Sequence, residues 1–362
     1  MPEAKHDIPT RHKEYSLILA ALAASALFFL APAGGTSLLV FLNILAIASI
    51  LYSAFSVVRH ADVLAHRFGE PYGSLILSLA IVILEVGMIA TLMLSGSAGP
   101  TMMRDTIYSV IIIIMSGLIG IGLLLGGLKY ESQDFNFRGI KHYLMSIIPL
   151  SLIVLALPTA LGGGLSKTQL AVIASACAFV YYMFLRIQTN THRQFFIHVD
   201  EDGDDDGHGM PSAHGTPWHF AFLAVHLVAV IGVTKMNSGP LDGILALLGV
   251  PPAFTGFLVA LLILSPESAA ALGAILRDQA QRAMNLLLGA VLTTISLTVP
   301  SVVLIASLTG QEVTLGLSLP NILLLLATLM VCQISLTGGR TNAHSGSAHL
   351  IIFAMYVMLI FS

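Results

Sequence analysis

Residues 261–272 read Leu261-Leu-Ile-Leu-Ser-Pro-Glu267-Ser-Ala-Ala-Ala-Leu272, which sets a proline and a carboxylate in the middle of an apolar run from Pro252 to Leu276. The solvent around that run decides the fold, because a soluble core can also hide one glutamate. Composition settles the matter. Hydrophobic residues make up 56% of the 362 and charged residues only 10%, against the roughly 25% charged usual in soluble domains. Mean hydropathy is +0.89, and apolar stretches of about 18 to 25 residues, the length that crosses a bilayer as a helix, recur along the chain. The sequence therefore predicts an all-α integral membrane protein with eleven spans, at 15–33, 37–58, 71–95, 106–128, 143–161, 168–187, 217–234, 252–276, 284–308, 314–336 and 348–361.

The first span has a basic flank and an alanine-rich end, features shared with a cleaved signal peptide. Its length, and the lack of a large soluble domain to export, favour a retained helix. Cys177 and Cys332 both fall inside expected helices, where they serve as small apolar residues. Eleven spans also define two sides. With a cytoplasmic N-terminus, thirteen of the sixteen Lys and Arg face the cytoplasm, and only Arg104, Lys167 and Lys235 face outward. A positive-inside bias of that size predicts an N-in, C-out chain and would be scrambled by one missed or invented span.

The longest hydrophilic interruption, 189–216, separates the first six spans from the last five and contains Asp200, Glu201, Asp202, Asp204, Asp205 and Asp206, with His198, His208 and His214 nearby. Blocks of like charge stay solvated. As a functional element this linker is expected to gather cations or respond to pH on the cytoplasmic side. It lacks the glycine-centred loop and closing glutamate of an EF-hand, and its histidines fit no specific metal template. The expected organisation is 1–36 as tail and leading helix, 37–188 as a first five-helix repeat, 189–216 as the acidic linker and 217–362 as a second five-helix repeat.

Among the acidic residues, only Glu85 and Glu267 lie deep within spans, about 15 residues in, or roughly 20 Å along a helix rising ~1.5 Å per residue. A carboxylate at mid-membrane costs on the order of 3 kcal/mol and needs a partner or a watery cavity. Each is in the second span of its block of five. The first block starts outside and the second starts inside, so the two are inverted in the membrane plane, as in many secondary transporters that bind ions at mid-membrane between repeats. Pro266 lacks an N–H and frees backbone oxygens near Leu262 and Ile263 for an ion. Helix hydroxyls at Ser78, Ser265, Ser109, Ser116, Thr293, Thr294 and Ser296 are further oxygens along a cation path. His226, midway along the seventh span, is a candidate proton relay, and His60 and His66 sit in an expected cytoplasmic loop with Asp62 and Glu70.

Four stretches carry a resemblance: Gly69-Glu-Pro-Tyr-Gly-Ser-Leu-Ile-Leu-Ser78, Leu264-Ser-Pro-Glu267, Gly126-Gly-Leu-Lys129 with Gln133-Asp-Phe-Asn136, and Thr337-Gly-Gly-Arg-Thr-Asn342 with Gly346 and His349. Together they resemble the calcium/proton exchanger branch of the calcium/cation antiporter superfamily, over nearly the whole chain. The resemblance implies one leading helix plus two inverted five-helix repeats, a bacterial inner-membrane location, and cation binding by Glu85 and Glu267. It also implies an asparagine three residues before each glutamate, where this chain has Val82 and Leu264. Ca2+ takes six to eight oxygens, so the loss of both amides points towards Na+ or K+.

The expected activity is secondary exchange of Na+, K+ or Ca2+ for protons, with cation and proton competing for one pair of carboxylates under alternating access. The alternatives are a strict calcium/proton exchanger and, after it, a cation channel. A channel needs a carbonyl filter or rings of charge, and an intramembrane hydrolase needs a motif such as His-Glu-x-x-His; neither is visible, and no enzyme activity is expected. The partners are the bilayer, inorganic cations and protons, with no cofactor and no nucleic acid.

Overall fold

The computed structural model describes residues 14–69, 72–96, 99–188, 214–251, 253–336, 338, 340–341 and 343–361. The acidic run and His198 and His208 lie outside them. The described residues form eleven apolar helices: α1 (Tyr15–Leu30), α2 (Thr36–Phe68), α3 (Tyr72–Leu94), α4 (Met102–Tyr130), α5 (Phe137–Ala160), α6 (Lys167–Arg186), α7 (Thr216–Leu247), α8 (Ala253–Ile275), α9 (Ala280–Thr309), α10 (Leu319–Leu336) and α11 (Ala343–Ile360). All but the 16-residue α1 reach 18 residues with an apolar window, as a chain must when hydrocarbon offers its backbone no hydrogen bonds. This is a multi-pass membrane protein.

Local chemistry sets the ends. Asn136 caps α5 by accepting from the Arg138 N–H, and Ser166 and Gln169 form a capping box on α6. Gly310 ends α9 in the left-handed region at φ 73°, which costs a residue without Cβ nothing. Inside the bilayer, wide π turns interrupt α4 at Ile113–Leu118, α5 at Leu152–Ala156 and α9 at Thr294–Thr298. The last two end two residues before Pro158 and Pro300. A π turn there absorbs the missing N–H without breaking the helix.

Two compact units emerge. The first comprises residues 1–84 and 199–240, holding α1, α2, the start of α3 and most of α7; the second comprises 85–198 and 241–362. In the first, α1 packs on α2. In the second, α4 packs on both α8 and α11. Backbones meet closely at these crossings: a Cβ on Gly346 would stand 2.5 Å from the Leu124 nitrogen, and one on Gly256 2.9 Å from the Asp105 carbonyl carbon. Small residues at such contacts are what allow membrane helices to pack tightly.

Loops of the second unit sort into two sets. At one, Gln133 Nε2 donates to the Ile275 carbonyl and to Asp278, each at 3.0 Å, and the pair β1 (Gln133–Asp134) and β2 (Arg340–Thr341) runs antiparallel. At the other, the Thr314 N–H donates to the Pro100 carbonyl at 2.8 Å and Thr159 to the Leu317 carbonyl at 2.7 Å. The loops after α4, α8 and α10 join one another, as do those after α3, α5 and α9. That alternation is what eleven crossings require.

Several boundaries differ from those expected. α2 continues past 58 to Phe68, and His60 is fully buried on it rather than in a solvated loop. Val57, Ala61 and Leu64 continue the buried stripe at helical spacing, so the polar residues between them line one helix that outruns the apolar window. α7 likewise runs on to Leu247, carrying Lys235 and Asp242. Cys177 and Cys332 are free and buried.

Candidate cation site

Glu85 on α3 is fully buried and Glu267 on α8 is 6% exposed. Both belong to the second unit. The Thr294 hydroxyl, in the π turn of α9, donates to Glu85 Oε2 at 2.9 Å. The remaining three carboxylate oxygens, Glu85 Oε1 and both of Glu267, have no hydrogen-bond partner, and the two groups lie within electrostatic reach of each other. Buried polar atoms are normally satisfied, and each exception calls for a reason. Three buried carboxylate oxygens in one unit are left without a partner.

A second hydroxyl, Thr298, one turn beyond Thr294, faces Glu85 without completing a hydrogen bond, and elsewhere in the unit the buried hydroxyls of Ser296 and Thr106 are also unpaired. Thr293 is buried next to Thr294. Thr298 and Thr106 were not singled out in the sequence, because nothing in it marks the π turn that re-spaces α9.

Other expected path residues are engaged elsewhere. Ser265 donates to its own helix at the Leu261 carbonyl, 2.6 Å away. Ser109 bonds the Asp105 carbonyl and the Tyr356 hydroxyl, each at 2.6 Å. Ser116 pairs with Thr328 at 3.1 Å. Ser78 is half-buried and belongs to the first unit. Pro266 leaves α8 helical from Ala253 to Ile275, so the helix is not interrupted there; the proline withholds a donor from the carbonyl a turn earlier while the helix continues. Where amides were expected stand Val82 and Leu264, at 4% and 2% exposure.

His226 belongs to the first unit, not to the unit of the two acids, and its ring bonds the Phe222 carbonyl and Ser16. Another buried histidine lies in a helix of the second unit. His349 Nδ1 donates to the Met115 carbonyl, within the π turn of α4, at 2.7 Å, and its Nε2 meets Ser335 at 2.8 Å.

Comparison with known proteins follows the same lines. The sequence profile of the family described as "Sodium/calcium exchanger protein" matches residues 37–190 and 218–362. The sodium-potassium/proton antiporter ChaA of Escherichia coli (strain K12) is 52% identical over the full length of both chains. Among solved structures, native YfkE matches with a TM-score of 0.72 at 15% identity, covering 96% of this chain and 99% of that one. The H+/Ca2+ exchanger CAX matches at 0.66 and 16%, covering 95% and 87%.

Proposed function

The chain belongs to the sodium/calcium exchanger protein family and is a cation/proton antiporter; from that premise we propose that it works in the bacterial inner membrane, exporting Na+ or K+, with Ca2+ competing for the same site. The observation that carries the reading is the pair Glu85 and Glu267, buried with three of four oxygens unbonded. The N-terminus is cytoplasmic and the C-terminus outside, on the distribution of Lys and Arg. The two inverted fives, 37–188 and 217–362, supply alternating access, in keeping with the matching place of Glu85 and Glu267 in them.

Protons and cation compete for the same oxygens. A cation entering from the cytoplasm displaces protons from the pair; the site then opens outward, where protons driven by their gradient displace the cation. Thr294 holds Glu85 in place for either ligand. The apolar Val82 and Leu264 contribute no oxygen, which suits an ion that needs few. The E. coli relative's name, sodium-potassium/proton antiporter, agrees with this selectivity. A strict calcium/proton exchanger is the second reading, and the unpaired hydroxyl of Thr298 facing Glu85 favours it by raising the oxygen count towards what Ca2+ requires.

Flux in inside-out vesicles, with Na+, K+ and Ca2+ compared at several pH values, tests the proposal. Proton-coupled Na+ or K+ flux is expected. Ca2+ exchange with neither monovalent flux decides for the second reading.

A further inference from the structure

The first unit holds a cluster of nitrogen donors that cation exchange at the two acids does not use. Glu14, at the start of α1, meets the cytoplasm-facing part of α2 and the first turns of α7. Its Oε1 stands 3.4 Å from His60 Nε2, and its Oε2 stands 3.4 Å from His226 Nε2. One donor atom from each of the three residues lies within 4.8 Å of the others. Both histidines are fully buried and Glu14 is 11% exposed.

Each donor is aimed by a neighbour. His226 Nδ1 lies 2.7 Å from the Phe222 carbonyl, an acceptor only, so Nδ1 carries the ring proton and Nε2 presents its lone pair towards Glu14. His60 Nδ1 pairs with His219 Nδ1 at 2.8 Å, which lets His219 accept that proton and leave His60 Nε2 as a ligand. Arg59 donates to Glu14 Oε2 at 2.8 Å, while Oε1 is buried and makes no hydrogen bond. Ligating histidines whose second nitrogen is held by a carbonyl or another acceptor, and a carboxylate oriented through its other oxygen, are the usual outer supports of a metal site.

We propose that Glu14, His60 and His226 form a site for a divalent ion of the Zn2+ class, with the fourth position open to water. Two nitrogens and one carboxylate oxygen suit such an ion and suit Na+, K+ or Ca2+ poorly. A tetrahedral ion with ~2.0–2.1 Å bonds separates its ligands by about 3.3 Å, close to the 3.4 Å between Glu14 Oε1 and His60 Nε2; the 3.4 Å to His226 Nε2 is from the other oxygen, so a small turn of the carboxylate on binding brings Oε1 to both rings. The ion takes the His226 lone pair that the Ser16 hydroxyl now meets at 2.8 Å, and Arg59 stays on the outer carboxylate oxygen. Bound there, it ties α1 to α2 and α7.

The test uses full-length, tag-free protein in detergent, titrated with Zn2+ by calorimetry and with Co2+ by visible absorption. One ion per chain is expected, with the intense bands of four-coordinate Co2+. His60→Gln and His226→Gln each weaken it at least about tenfold, and His219→Phe by about tenfold, the scale of a lost outer support. Binding persists in Glu85→Gln with Glu267→Gln, which separates this site from the transport pair, and in His198→Asn with His208→Asn. X-ray absorption of the wild-type zinc form, which needs no variant to fold, shows two imidazoles and oxygen. No saturable binding, unchanged binding in His60→Gln and His226→Gln, loss only with the linker histidines, or fewer than two imidazoles in the absorption spectrum each overturns the proposal.

Discussion

Two glutamate centres stand in the two units, and their surroundings differ in kind. In the second unit, Glu85 accepts from the Thr294 hydroxyl, Glu267 lies within its electrostatic reach, and three of their four oxygens have no partner. In the first, Glu14 is met by Arg59, His60 and His226. The contrast teaches that a carboxylate in a membrane protein takes its role from its neighbours. An unsatisfied acid pair among hydroxyl oxygens favours small hard ions and protons, whereas an acid with a cation and ring nitrogens beside it is already partly neutralised and favours a softer ligand.

The sharpest way to break this comparison is to neutralise the first pair. Glu85→Gln or Glu267→Gln is expected to abolish proton-coupled flux in vesicles while the protein still inserts, because no other carboxylate among the described residues is buried as deeply in the second unit. Wild-type exchange by both variants removes the pair from the transport path.

Next in size is Thr294→Val, which deletes the single hydrogen bond to Glu85. Bonds to charged groups contribute about 1.5–3 kcal/mol, so cation affinity should fall about 10- to 100-fold. Measuring the cation concentration for half-maximal flux checks it, and an unchanged value shows that the bond is structural.

A smaller effect is expected from supplying amides at the two apolar positions. Val82→Asn with Leu264→Asn should move preference towards Ca2+, since each amide adds an oxygen to a site short of them. Competition of Ca2+ against Na+ in liposomes measures the shift; a preference that stays put means these positions do not face the ion.

The smallest belongs to the acidic run. Replacing the charges of 200–206 with neutral residues should change apparent affinity or pH response at low salt and leave maximal flux intact, because charge outside the bilayer concentrates cations without lying on their path. Complete loss of flux in an inserted variant contradicts that.

Much of this was legible in the sequence because hydrocarbon imposes strong rules. Apolar length gave eleven helices, and the scarcity of acids within them singled out Glu85 and Glu267. The family resemblance rested on motifs that turn out to hold loops together, as Gln133 does with Ile275 and Asp278, and to allow close crossings, as Gly346 does against α4. Other features were not legible. His60 read as a loop residue because α2 continues beyond its apolar window, and Glu14 read as part of a tail.

What the sequence by itself determined is whatever depends on a residue and the bilayer alone: helix number, the alternation of loops, and the two acids too costly to leave in lipid without purpose. Tertiary structure alone decided which groups meet. Thr294 reaches Glu85 from 209 positions away and His226 reaches Ser16 from 210, and the π turns that re-space α4 and α9 set which hydroxyls and carbonyls are left over. Such pairings depend on the rotation and crossing of packed helices, which hydropathy averages out, so they appear only when the helices are in place.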